Sequence, residues 1–294
     1  NMWDGKMDDI GIWGRALGNF EIAEIFLKGR QGVNLATAPS AGPPSSASGL
    51  VSYWDFEGRT TDRARHFQHS SGTVDDNLAI TGNVGYTSGR VGQAADLDGG
   101  YLTAVSSADV QLPDTFTIEA WINPDQVNVE WQRLVLNWGG TGQNAYHFAI
   151  HNGLVSLYIN EADNHGFEVA VGGDLVAGQW QHVAAVLDSA TLTGKVYLNG
   201  IEVGSGAFDG TIFTTTAEGL GIGDSIGIPS GSARYNGLID ELAIWNVALT
   251  PDQIASHFLG GAAGYGLAVP EPSTLALLAL GALGLLLPLG RRRK

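Results

Sequence analysis

Apolar and polar residues alternate with period two through most of the middle of the chain. In residues 116–123, FTIEAWIN, the side chains of Phe116, Ile118, Ala120 and Ile122 share one side of an extended segment. Thr117, Glu119 and Trp121 share the other. Short runs of the same kind recur at 51–57, 94–98, 101–102, 133–138, 146–151, 154–159, 181–187, 195–198, 201–203 and 220–223. Asn152-Gly153 and Asn199-Gly200 join neighbouring runs, and such pairs supply the positive φ angles of a two-residue hairpin. In the last run, Leu238, Asp240, Leu242 and Ile244 fall on one face, and Ile239, Glu241, Ala243 and Trp245 on the other. Thr250-Pro251-Asp252-Gln253 then gives an N-cap, a proline at the first helical position and a capping-box glutamine. The pattern predicts an all-β fold: an antiparallel two-sheet sandwich closed by one short C-terminal helix.

The closing strand and helix occur twice. Trp3 to Phe26 align without a gap with Tyr235 to Phe258, with Gly5, Asp8, Ile12, Trp13, Ala16, Leu17, Ile22, Ala23 and Phe26 identical to their counterparts. Residues 1–30 are therefore expected to be the terminal strand and helix of a truncated upstream domain, weakly docked here. A Pro/Ser/Gly-rich stretch at 31–49 reads as a linker. Residues 50–260 read as the intact domain, 261–268 as a second linker and 269–294 as a separate tail.

Glycine supplies 42 of 294 residues, in keeping with many turns. The formal charge is −15, and residues 50–260 hold 24 acidic against 7 basic side chains. Such a body disfavours nucleic acid and anionic lipid and suits divalent cations or neutral glycans. The absence of cysteine removes disulfides, thiolate metal sites and thiol catalysis.

Six stretches, LVSYWDFEG, DLDGGYL, FTIEAWINP, GQWQHVAAVLD, GKVYLNGIEVG and GLIDELAIWNVALTPDQI, appear in that order. Together they resemble the laminin G-like, concanavalin A-like jelly-roll domains of secreted bacterial proteins. That resemblance implies a jelly-roll sandwich over 50–260 and a fold shared by lectins, adhesion modules, carbohydrate-binding appendages and some glycosidases. The tail resembles something else. Val269-Pro270-Glu271-Pro272-Ser273, an apolar run at 274–289 and Gly290-Arg291-Arg292-Arg293-Lys294 are similar to a PEP-CTERM sorting signal. The 15 residues from Leu275 to Leu289 would make a hydrophobic helix shorter than a ~30 Å hydrocarbon core. A plain C-terminal anchor is the other reading. The sorting resemblance implies a Gram-negative-type cell, an exosortase-type processing enzyme acting near Pro270, Glu271 and Pro272, transient residence in the inner membrane, and delivery to the cell surface or extracellular matrix.

Laminarinase-type glucanases of this fold imply a structural Ca2+ held by Glu57 on the first strand and Asp240 on the last. Asp98 and backbone oxygens near Gly58 would complete the hard-oxygen set. The residues leave a second reading open, in which Asp240 accepts backbone N–H bonds at a strand junction. Those glucanases also pair two glutamates about 5.5 Å apart. No such motif occurs here: Glu119 stands alone on its strand, and Asp240 and Glu241 are expected on opposite faces. Catalysis is therefore not expected. His147 and His151 lie about 13 Å apart along a strand, too far to share a metal. His182, in its Trp-x-His-Val-Ala setting, reads as a packing or hydrogen-bonding residue, and His66 and His69 as solvated. Trp121, Trp131, Trp138 and Tyr146 are candidates for stacking on sugars, with core packing as the other reading. The expected function is a non-catalytic, surface-sorted binding or adhesion module for exopolysaccharide or other glycans. An accessory domain of a glycoside hydrolase, or a matrix protein without a ligand, are the alternatives.

Overall fold

The structure is a computed structural model. It describes residues 49–64, 73–139, 143–161, 163, 165–213, 219–224 and 233–267, with positions 10–14, 17, 22, 25, 26, 28 and 29. The linker tract before residue 49, Asp8, His66, His69, the side chain of Trp138 and the tail from residue 268 lie outside the described residues.

The strands run in the order β1 (Leu50–Trp54), β2 (Ala79–Thr81), β3 (Gly85–Ser88), β4 (Gln93–Asp96), β5 (Tyr101–Ala104), β6 (Phe116–Pro124), β7 (Trp131–Gly139) and β8 (Gln143–His151). They continue with β9 (Leu154–Asn160), β10 (Gly166–Asp174), β11 (Gln181–Asp188), β12 (Thr193–Leu198), β13 (Ile201–Ala207), β14 (Leu220–Ile222) and β15 (Gly237–Trp245), before helix α1 (Pro251–Ala262). Sheet one has the order β13-β12-β11-β6-β15-β4-β3, with β1 also paired to β15. Sheet two has the order β10-β9-β8-β7-β14-β5-β2. All pairs between these strands are antiparallel. The two-sheet sandwich with a short closing helix is thus as its pattern predicts.

The core between the sheets takes one side of each alternating run: Phe116, Ile118 and Ile122 from β6 against Phe148, Ile150 and Leu157 from β8 and β9. Full burial of side chains this size is worth roughly 1.5–3 kcal/mol each. Both hairpins have the turn their sequence demands, with φ of 50° and 83° at Asn152-Gly153 and 50° and 77° at Asn199-Gly200.

Three strands escape the apolar alternation. β2 and β3 are short and mostly exposed, with only Tyr86 of β3 packed against the core, so no alternating run marks them. β10 contains glycines because it lies against β13 of the other sheet. A Cβ at Gly172 would sit 2.0 Å from the Val203 carbonyl oxygen, and one at Gly204 would sit 2.2 Å from that of Val171. Only glycine permits that approach.

β15 departs from simple alternation as well. A bulge falls between Asp240 and Ala243, with Glu241 at φ +52°. Ile239, Leu242 and Ile244 therefore face the inter-sheet core together, while Ala243 and Trp245 join a second cluster on the outer side. The expected faces hold only beyond the bulge. Asp240 and Glu241 both point away from the inter-sheet core, not to opposite faces.

Helix α1 covers the outer side of sheet one. Its capping box is formed: Thr250 Oγ1 accepts from the Gln253 N–H, and the Gln253 side chain accepts from the Thr250 N–H. Ile254 packs into the outer cluster with Tyr53, Tyr197, Trp245 and Leu249. Gly261 is required by proximity, since a Cβ there would lie 2.1 Å from Trp121 Nε1. The chain stays packed through Leu267, beyond the boundary expected at residue 260. Among the described positions before residue 30, Ile10, Ile12, Ile22 and Phe26 are exposed.

Candidate functional site on the outer face of sheet two

The alternation that buries Phe148, Ile150, Val155 and Leu157 sends His147, His151, Ser156 and Tyr158 to the outer face of sheet two. Register then assembles them: Trp131 lies opposite His151, His147 opposite Tyr158, and Tyr158 opposite Glu168. The Trp131 ring stacks on His151 at 3.9 Å and on His147 at 5.3 Å, and meets Tyr158 edge-on at 6.3 Å. Glu168 accepts from Ser156 Oγ at 2.5 Å and lies 2.8 Å from His151 Nδ1. Trp131, His151, Tyr158 and Glu168 remain half-buried, so their outer edges reach solvent.

Burial, with Arg133 and His151 adding to it, pushes His147 down to about 3, so its ring is neutral at ordinary pH. Its Nε2 is buried and has no hydrogen-bond partner. Arg133 Nη1 lies 3.4 Å from the buried carboxylate of Asp224, which also accepts from Arg234 Nε at 3.0 Å. The half-buried rings of Trp131, His151 and Tyr158, edged by the Glu168 carboxylate, make an aromatic surface with a polar rim that suits a hydroxyl-rich, uncharged ligand.

The other stacking candidates fare differently. Trp131 belongs to this face. Trp121 is on the outer side of sheet one as alternation predicts, but α1 covers it, leaving it 2 % exposed. It stacks on Phe258 at 5.6 Å, with Arg90 4.7 Å from its ring centroid. Tyr146 lies within the inter-sheet core and donates its hydroxyl to the Val110 carbonyl. Neither has a face free for a sugar, which corrects that expectation. The spacing of His147 and His151 already places them on one strand face. Glu168 could not be found the same way, because it lies on the strand the pattern missed.

Of the expected calcium ligands, Glu57 and Asp240 flank one turn. Glu57 Oε1 accepts from the Gln93 N–H at 3.1 Å, and Asp240 Oδ2 accepts from the Val91 N–H at 2.9 Å. Asp240 Oδ1 is buried without a well-formed hydrogen bond, although the backbone N–H groups of Arg90 and Glu241 also act on this carboxylate. Burial, with Glu241 beside it, pushes the Asp240 carboxyl up to about 8. Asp98 stands apart and accepts from Asn83 Nδ2 at 3.4 Å. Among the described residues, no three carboxylate or imidazole side chains converge where they could hold a metal. Glu57 and Asp240 lie beside the same turn, and the expected three-carboxylate set with Asp98 does not form.

Glu119 is not isolated. His257 Nδ1 lies 2.5 Å from its Oε1, and His182 Nε2 lies 3.3 Å from its Oε2, within ion-pair range but off hydrogen-bond geometry. Burial raises the Glu119 carboxyl, but the His257 and His182 imidazoles prevail and hold it down at about 2. All three side chains are essentially inaccessible, so this cluster holds α1 to the sheet and cannot meet a polymer. A cavity of about 200 Å³ beside the start of α1 is lined by Asp188, Thr193, Lys195, Tyr197 and Thr250. Its lysine is already paired with Glu202 at 2.9 Å, and its aspartate with Thr191 at 2.8 Å, which leaves little for a ligand.

The strand order, the two-sheet core and the closing helix define a jelly-roll sandwich. The chain belongs to the concanavalin A-like lectin/glucanases superfamily, whose profile matches residues 97–255. Residues 268–294 match the PEP-CTERM protein-sorting motif, which implies export and surface sorting with exosortase-type processing. Domain 4 of AbnA, a GH43 extracellular arabinanase from Geobacillus stearothermophilus solved with arabinotriose, shares the fold. Its TM-score is 0.56 at 22 % identity, covering 76 % of this chain and 99 % of that one. The binding domain of Paraclostridial Mosquitocidal Protein 1 gives 0.55 at 14 %, covering 71 % and 52 %. The binding domain of botulinum neurotoxin DC, solved with SialylT, gives 0.55 at 12 %, covering 73 % and 52 %. The chain therefore spans about half of those toxin domains, and at these identities the likeness is one of fold. No curated protein matches the sequence.

Proposed function

We propose that the protein is a surface-sorted, non-catalytic binding module whose ligand is a neutral glycan, taken on the outer face of sheet two. The observation that carries this reading is the Trp131–His151–His147 stack with Tyr158 and Glu168 at its edges. The arabinanase domain solved with arabinotriose supports a glycan as the ligand class. An accessory role beside a glycosidase domain is the second reading, favoured by that same neighbour being one domain of a hydrolase.

In this reading the tail holds the chain in the inner membrane until processing, and the acidic body meets exopolysaccharide at the surface or in the matrix. Residues 50–267 act as the binding domain, and 1–30 as the end of a related one. For calcium, the support is Glu57 and Asp240 beside one turn, with Asp240 Oδ1 buried and without a well-formed hydrogen bond. Carbonyl oxygens of the Gly89–Gln93 turn would supply the remaining ligands in place of Asp98, and the ion would neutralise a buried carboxylate.

Affinity electrophoresis against arabinan, β-glucan and the host's own exopolysaccharide tests the reading. Retardation by at least one of them, lost on Trp131→Ala, is the expected result. Migration unaffected by every polysaccharide would leave a matrix protein without a specific ligand.

A further inference from the structure

The last described residues before the sorting motif are tied to the sheet by a buried carboxylate. Helix α1 ends in a turn in which Gly264 takes φ +84° and the Tyr265 N–H donates to the Gly260 carbonyl. Arg90 holds that end from the side, donating to the carbonyls of Gly261 and Ala262 at 3.0 and 2.6 Å. The chain then folds back, and the Leu267 N–H donates to Glu241 Oε2 at 2.6 Å. The same oxygen accepts from the Tyr53 hydroxyl at 2.7 Å. Leu267 itself packs into the outer cluster. Glu241 is 1 % exposed and sits in the left-handed region at φ +52°, a conformation that persists where its surroundings enforce it. The sorting motif begins at the next residue, 268.

We propose that Glu241 fixes the point at which the sorting tail leaves the fold, and that its grip on Leu267 restricts the processing enzyme's access to Pro270, Glu271 and Pro272. The inference rests on the sorting reading of the tail. Between Leu267 and the apolar run at 274–289 there are six residues, Ala268 to Ser273. Fully extended they reach about 20 Å. An enzyme acting at the Pro-Glu-Pro must therefore work within about 20 Å of the point where Leu267 is held. Releasing Leu267 frees the chain back towards Gly264 and extends that reach by about 10 Å. Glu241 thus couples processing to the docked state of the C-terminal segment.

The test uses the full chain in a host carrying an exosortase-type enzyme, with loss of the tail followed by pulse-chase and intact mass. A short Gly-Ser insertion between Leu267 and Ala268 leaves every described contact in place. Leu267→Pro removes the donating N–H while leaving Glu241 and Tyr53 paired. Both variants are expected to lose the tail about threefold faster or more, as effective access rises with tether length. The insertion variant should keep the parent's melting temperature. Rates for both variants within about twofold of the parent would overturn the proposal. If the parent keeps its tail while a control substrate is processed in the same cells, the sorting reading fails and this inference goes with it.

Discussion

Glu119 of β6 and His257 of α1 meet at 2.5 Å although 138 residues separate them in the chain. Trp245 stacks on His257 at 5.4 Å, and Trp121 on the neighbouring Phe258, so the contact sets how the helix lies on sheet one. Removing Glu119 leaves the buried His257 Nδ1 without its hydrogen-bond partner, at a cost of about 1–3 kcal/mol. Glu119→Ala should lower the unfolding free energy by that amount in urea at neutral pH. A loss under about 1 kcal/mol would mean the cluster is not what holds the helix.

The same pair has a pH signature. Glu119 titrates at about 2 in the folded chain, below the ordinary value of 4.5. A depressed carboxyl contributes stability that is present above its unfolded value and is lost as pH falls towards the folded one. The stabilisation from Glu119 should therefore fade between about pH 4.5 and pH 2. Glu119→Gln should flatten that part of the acid limb, as read from urea midpoints at closely spaced pH. Parallel acid limbs for parent and variant would contradict this.

Where the chemistry of the chain is local, the sequence discloses it. The two Asn-Gly turns, the Thr250 capping box and the inward face of β6 all follow from spacing alone. Long-range covering is not written in any window. Trp121 and Trp131 both lie on outward positions of alternating strands, and only the docking of α1 buries the first. β10 was hidden by glycines whose purpose is close approach to β13, and Glu168 was hidden with it. The bulge at Asp240–Ala243 reversed the expected faces of β15 before it, at Ile239 and Asp240, because period-two counting cannot see an extra residue in one strand. Glu119 appeared solitary because its partners come from β11 and α1.

Asp240 gives a prediction in the opposite direction of pH. Its carboxyl is raised from 3.8 to about 8, so its contribution to stability is present below about pH 4 and is lost as pH rises through 8. In chelator, the Asp240 contribution to the melting temperature should therefore decline from about pH 4 to about pH 8 and level off above that, and Asp240→Asn should reduce the decline. Calcium binds the ionised form and should restore the melting temperature at pH 8–9 in the parent but not in Asp240→Asn. Identical melting curves with calcium and with chelator across that range would remove the ion, leaving Asp240 as an acceptor for the Val91 N–H.

The two tryptophans separate the binding face from the packing face. Trp121 is covered by Phe258, Arg90 and the backbone at Gly261, so Trp121→Ala should cost about 3–5 kcal/mol. Trp121→Phe refills most of that volume and should leave glycan affinity at the parent's value. Trp131 is half-buried, and its stack lies on the opposite sheet, so Trp131→Ala should cost only about 1–2 kcal/mol. The same change should abolish retardation by the bound polysaccharide, and Trp131→Tyr should restore part of it by returning a ring over His151. His147→Ala removes a ring that supports Trp131 and should weaken binding by loosening the stack. The measurements are urea midpoints and affinity electrophoresis on the same preparations. Binding retained by a folded Trp131→Ala but lost by a folded Trp121→Phe would transfer the site to sheet one.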